Sequence, residues 1–186
     1  MKDRVQAADH KRAITFCYRG FTANFGTRHM VASILEQAGH DVEQIKDGPA
    51  DFSADSVVWI WGNTNWYPGL YAQLAAMPRA QRPLVVLWHT EPLPLPRAAG
   101  LPWPRLNWWE TAKFVLRDSN ATDVYTNYLV LRRWLKQGIP DVLVAATLGR
   151  CGFLSERGIA ADWVPLGYES SYGRDLGLSR EIDVLF

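Results

Sequence analysis

The stretch SVVWIWG, residues 56–62, decides how this chain is read. Its five central residues are all apolar, and all are β-branched or aromatic, which favours a strand. No polar residue alternates with them, so neither face of the strand meets water. That is the pattern of a central strand in a parallel sheet. A second run of this kind, PLVVLWH at 83–89, follows after a segment in which Pro68 suits the first turn of a helix reaching about Met77. Strand, helix and strand in that order form the repeating unit of a parallel sheet.

Working outward, the same alternation continues in both directions. Upstream, AITFCY (13–18) is a first strand. Met30, Val31, Ile34, Leu35 and Ala38 then recur at helical spacing and Gly39 stands where the helix ends. DVEQI (41–45) is a second strand. Downstream, Asn107 and Glu110 have capping-box spacing and open a helix to about Arg117. Another helix runs from about Asn127 to Gln137 and stops at Gly138. DVLVAA (141–146) is the fifth strand. A helix carrying Leu148, Cys151 and Leu154 follows, although Gly149 and Gly152 each cost about 1 kcal/mol relative to Ala. WVPLG (163–167) is the sixth strand. The expected fold is α/β, a Rossmann-like parallel sheet with helices on both faces, spanning 13–167. Residues 1–12 read as a polar leader and 168–180 as a linker. Residues 181–186 read as the first strand of a further unit.

Composition narrows the function. The net charge is +1 and no basic block stands out, so a nucleic-acid role is not expected. No apolar run approaches the ~20 residues of a membrane span. The mixed charges of the leader do not precede a secretory h-region. Cys17 and Cys151 form no metal or redox pattern, and Cys17 reads as a small buried residue, which fits a reducing cytoplasm. Tryptophan is the unusual component. Trp59, Trp61, Trp66, Trp88, Trp103, Trp108 and Trp109 cluster in the middle of the chain.

Ligands of open parallel sheets bind beyond the carboxyl ends of the strands, which selects the loops worth reading. His89 and Glu91 emerge where the fourth strand ends, and an imidazole beside a carboxylate suits general acid–base work. The bland alternative is a histidine bonded to loop backbone and a glutamate capping a turn before Pro92. Five prolines (92, 94, 96, 102 and 104) stiffen the next loop. Trp66, Tyr67 and Trp103 offer flat faces to a sugar ring or a base, beside Asn63. Trp59, Trp61 and Trp88, inside strands, read as core.

Several motifs are missing. There is no GxGxxG, no P-loop, no GxSxG, no HExxH and no DxD. Asp47 stands about 20 residues after Gly26, the spacing of a ribose-binding acid, and leaves a dinucleotide reading open.

The segments FTANFGTRHMVASILEQAGHDVEQI (21–45) and PDVLVAATLGRCGFLSERGIAADWVPLGYE (140–169), with SREIDVLF (179–186), together resemble the N-terminal half of a GT-B glycosyltransferase. The spore-maturation-type branch is the most similar in flavour. The resemblance covers nearly all of 13–186. It implies an acceptor-side domain followed by a donor-side domain that binds the nucleotide-sugar co-substrate, with no metal or other cofactor. By that resemblance Gly26 and Thr27 approach the donor phosphates. His89 faces the cleft, and Gly167 and Tyr168 lie at the hinge. The first loop departs from the family in having one glycine where a tight pair is usual. The expected activity is sugar transfer from a nucleotide-sugar to an acceptor hydroxyl, with His89 or Glu91 at that hydroxyl and Asn63, Trp66, Tyr67 and Trp103 around the acceptor. The alternative is a stand-alone subunit supplying an acceptor surface to a separate catalytic chain.

Overall fold

A computed structural model describes residues 13–17, 27–53, 56–100, 108–116 and 124–165. The expected leader, Gly26, Trp103, Gly167, Tyr168, the expected linker and the strand expected at 181–186 lie outside these residues.

Six strands form one sheet: β1 (Ala13–Cys17), β2 (Asp41–Ile45), β3 (Val57–Trp61), β4 (Leu84–His89), β5 (Val142–Ala145) and β6 (Asp162–Trp163). Their order is β2-β1-β3-β4-β5-β6 and every neighbouring pair is parallel. Among the described residues five α-helices connect them: α1 (Thr27–Gln37), α2 (Pro68–Ala76), α3 (Trp108–Val115), α4 (Val124–Lys136) and α5 (Leu148–Ser155). This is a Rossmann-like α/β fold, and no helix among the described residues is long and apolar enough to cross a membrane.

Side chains alternate between the faces of each strand, and the two faces carry two apolar clusters. On one, Val58, Ile60, Val85 and Leu87 meet Leu70 and Leu74 of α2, Leu131 and Trp134 of α4, and Phe153 and Leu154 of α5. On the other, Phe16 of β1 meets Val31 and Ala32 of α1, with Trp59, Trp61 and Trp88 packed against them. The strand tryptophans are therefore core, as their positions implied.

Polar groups fix the connections between these layers. Asp47, just past β2, accepts from the backbone N–H groups of Gly69 and Leu70 at 3.1 and 2.9 Å and so caps α2. Gln73 of α2 holds the same loop, donating to the Ala50 carbonyl and accepting from its N–H. Asp141 accepts from the Val85 N–H at 2.8 Å and pairs with Arg79, tying the start of β5 to β4. At the α4–α5 joint, Tyr128 meets Phe153 edge to face at 5.0 Å, and Arg157 lies 3.6 Å over the Phe153 ring.

The chain reverses direction across the sheet once, between β1 and β3. β2 lies on one side of β1, and everything from β3 onward lies on the other. In open α/β sheets that reversal opens a crevice at the carboxyl ends of the two strands.

Candidate functional site at the carboxyl ends of the strands

The loop leaving β3 crosses this crevice. Gly62 has φ +110°, a conformation that L side chains rarely adopt. The ring of Trp66 lies against it, and a Cβ at position 62 would come within 2.3 Å of that ring. Asn63 then caps a short turn at Thr64–Trp66, its Oδ1 accepting from the Asn65 N–H at 3.1 Å.

The second amide function of Asn63 reaches across the fold. Its Nδ2 donates to Oδ1 of Asn127 at 2.5 Å, and Asn127 Nδ2 donates to the Pro92 carbonyl at 2.8 Å. Both asparagines are fully buried. Three segments are thereby locked together: the β3 loop, α4 and the start of the proline loop after β4. Buried amides are tolerated because each finds partners. Sequence reading named Asn63 and missed Asn127, although an asparagine sharing a helix face with Val130, Leu131 and Trp134 was the available signal.

Tyr67 is also fully buried. Its hydroxyl donates to the Trp61 carbonyl at 2.5 Å and lies 3.3 Å from the Cys17 carbonyl. The ring was expected to face an acceptor. In the structure it belongs to the floor, because its polar end is committed to the backbone at the ends of β1 and β3. Trp66 is half-buried and stands nearer the surface.

His89 is the last residue of β4 and pairs in register with Ala145. By alternation it shares the face of Val85 and Leu87. The ring is wholly buried, and neither nitrogen has a hydrogen-bond partner among the described residues. Burial pushes its pKa down to about 3, and the positive charge of Arg150 acts in the same direction. The Glu91 backbone lies close enough to favour the proton slightly, short of full hydrogen-bond geometry. His89 is therefore a neutral imidazole beneath the surface rather than a group facing a cleft. The neighbouring Thr90 hydroxyl is likewise buried without a partner among the described residues.

Glu91 and Arg150 are both half-buried. Arg150 sits in the first turn of α5, whose N-cap Thr147 accepts from its backbone N–H at 3.3 Å. Burial lowers the pKa of its guanidinium and the negative charge of Glu91 works against that shift. The edge thus presents one acid and one base above a buried, neutral imidazole. Thr27 opens α1 at the same edge.

Asp47, the acid of the dinucleotide reading, is held at the start of α2. Both carboxylate oxygens of Asp47 accept backbone N–H groups of α2, which gives this acid a structural role as a helix cap. Among the described residues no cluster of His, Cys, Asp or Glu could hold a metal ion. No family model, curated protein or solved structure matches this chain.

Proposed function

We propose that the chain is the acceptor-side domain of a GT-B-type glycosyltransferase. It works with a donor-side domain that binds a nucleotide-sugar, and it positions an acceptor hydroxyl for sugar transfer. The observation that carries this reading is the juxtaposition at the carboxyl edge. A Rossmann-like sheet with its reversal between β1 and β3 brings Glu91, Arg150 and the Asn63–Asn127 lock to one side. The similarity of residues 21–45 and 140–169 to the opening and closing segments of such domains supports it further.

In this reading Glu91 is the carboxylate that accepts the hydroxyl proton, being half-buried and at the edge. His89 lies below it and sets the local polarity as a neutral group. Charge on the leaving diphosphate is met by helix N-termini and basic side chains, without a bound metal.

The test uses the complete protein with a panel of nucleotide-sugars, following acceptor-dependent release of nucleoside diphosphate. Glu91→Gln should lower kcat by about 10² with the donor KM little changed. A variant that turns over like the parent removes Glu91 from the chemistry. Absence of acceptor-dependent release with every donor overturns the reading.

A further inference from the structure

The helix α3 turns its apolar side to solvent. Trp108 and Trp109 are 76% and 81% exposed, and Val115 and Leu116 are 71% and 80% exposed. Ala112, between the two pairs, is exposed as well, whereas the polar Thr111 and Lys113 are partly buried. Leu116 lies one residue past α3, but its N–H still bonds the Ala112 carbonyl at 2.9 Å, so it continues the same spiral. At about 100° per residue these five positions fall on one stripe about 120° wide. A helix at the surface of a lone domain places such a stripe against the core instead.

Size and spacing say what covers this face. It offers about 600 Å² of apolar surface, taking about 200 Å² for each tryptophan. A monomer rarely exposes a contiguous apolar patch that large without a partner. Two such faces together bury about 1,200 Å², the lower end of specific and stable interfaces. The positions are also symmetric about Ala112: Trp108 and Leu116 stand four residues to either side of it, and Trp109 and Val115 three. In an antiparallel pair of these helices each bulky ring therefore meets an aliphatic side chain, and the small Ala112 lets the two backbones approach at the crossing point. None of the five residues is charged, as suits the centre of a homodimer contact. A lipid surface is the other occupant that tryptophans suit, but it draws on basic residues along the polar side. The one basic residue of α3, Lys113, is partly buried.

We propose that this face of α3 is a homodimer interface, on which α3 of a second copy of the chain lies antiparallel about a two-fold axis at Ala112. Trp108 packs on the partner's Leu116 and Trp109 on the partner's Val115. The surface uses neither Glu91 nor Arg150 and goes beyond the transfer reaction proposed above. Its failure leaves that proposal untouched.

Sedimentation velocity of the full chain, from about 1 to 100 μM, should show monomer passing into dimer. Trp109→Glu and Leu116→Glu, both at exposed positions, should each weaken dimerisation at least about tenfold with an unchanged far-UV spectrum. Cross-linking tests the geometry in a Cys151→Ser background, where the remaining Cys17 is buried. Ala112→Cys should form an intermolecular disulfide under mild oxidation, because the axis brings its two copies together. Leu116→Cys should not, since its two copies stand about 12 Å apart along the helices at about 1.5 Å per residue. A chain that stays monomeric throughout overturns the proposal, and so does a dimer that both glutamate variants leave intact. Cross-linking at Leu116→Cys in place of Ala112→Cys overturns the two-fold arrangement. A monomer that sediments with phosphatidylcholine–phosphatidylglycerol vesicles, and no longer does so as Trp109→Glu, overturns it in favour of a membrane surface.

Discussion

The hydroxyl of Tyr67 lies 3.3 Å from the carbonyl of Cys17, 50 residues earlier in the chain, and 2.5 Å from that of Trp61. One phenol thus bridges the last residues of the two strands that flank the crevice. Tyr67→Phe keeps the ring and strips both carbonyls of this partner. The expected loss is about 1–3 kcal/mol, the cost of leaving buried polar groups unpaired. In urea unfolding the midpoint should drop with an unchanged slope. An unchanged midpoint would assign the whole role of Tyr67 to its ring.

Asp47 is read here as a helix cap, and that is testable apart from any ligand. Asp47→Ala removes two hydrogen bonds to the first turn of α2 and should cost about 0.5–2 kcal/mol. Fluorescence titration of the parent with a nicotinamide dinucleotide should show no saturable binding. Tight binding that Asp47→Ala abolishes would restore the ribose role.

Much of this architecture was legible, and the limits of legibility follow distance along the chain. β2 falls on 41–45 as read, because alternation is a local property. α4 begins at Val124, ahead of the expected start near Asn127. Asparagine reads as a cap or turn residue, yet here its side chain is satisfied by Asn63 and the Pro92 carbonyl, 64 and 35 residues away. β6 is Asp162–Trp163, shorter and earlier than WVPLG suggested. Glu91 and His89 were placed at the carboxyl edge by the strand preceding them. Alternation puts the His89 ring on the face of Val85 and Leu87, but its complete burial depends on what covers the end of the strand, which no local pattern encodes. Asp47 looked like a cofactor acid because the spacing from Gly26 fitted. What claims it is Gly69, where a Cβ would meet its Oδ1 at 3.2 Å.

His89 gives the fold an acid sensitivity with a defined window. The folded ring takes a proton only near pH 3, against 6.5 for an ordinary histidine. Between those values the unfolded chain binds more protons. The contribution is full above pH 6.5, shrinks by about 1.4 kcal/mol per pH unit below it, and stops changing near pH 3. His89→Leu keeps the volume and removes two unpartnered nitrogens. It should flatten the acid limb of stability against pH without lowering the midpoint at pH 7. An acid limb identical to the parent's would place the proton uptake on other groups.

Gly62 and Trp66 form a tight pair. Gly62→Ala meets both the left-handed backbone and the Trp66 ring, so a loss of about 1–3 kcal/mol is expected. Adding Trp66→Ala should return only part of it, since the steric conflict is removed and the backbone strain stays. Full recovery in the double variant would make the ring contact the whole of the effect.

The all-parallel sheet also has a consequence in time. No pair of strands here can be joined by a tight hairpin, since each must wait for a crossover to bring distant segments together. β1 depends on partners from both sides, and β3 reaches it only after the chain has passed over β2. Loop closure comes before any ladder rewards it, so refolding should take milliseconds or longer rather than microseconds. The tryptophans of β3 and β4 lie within paired strands and would report sheet formation in a stopped-flow trace.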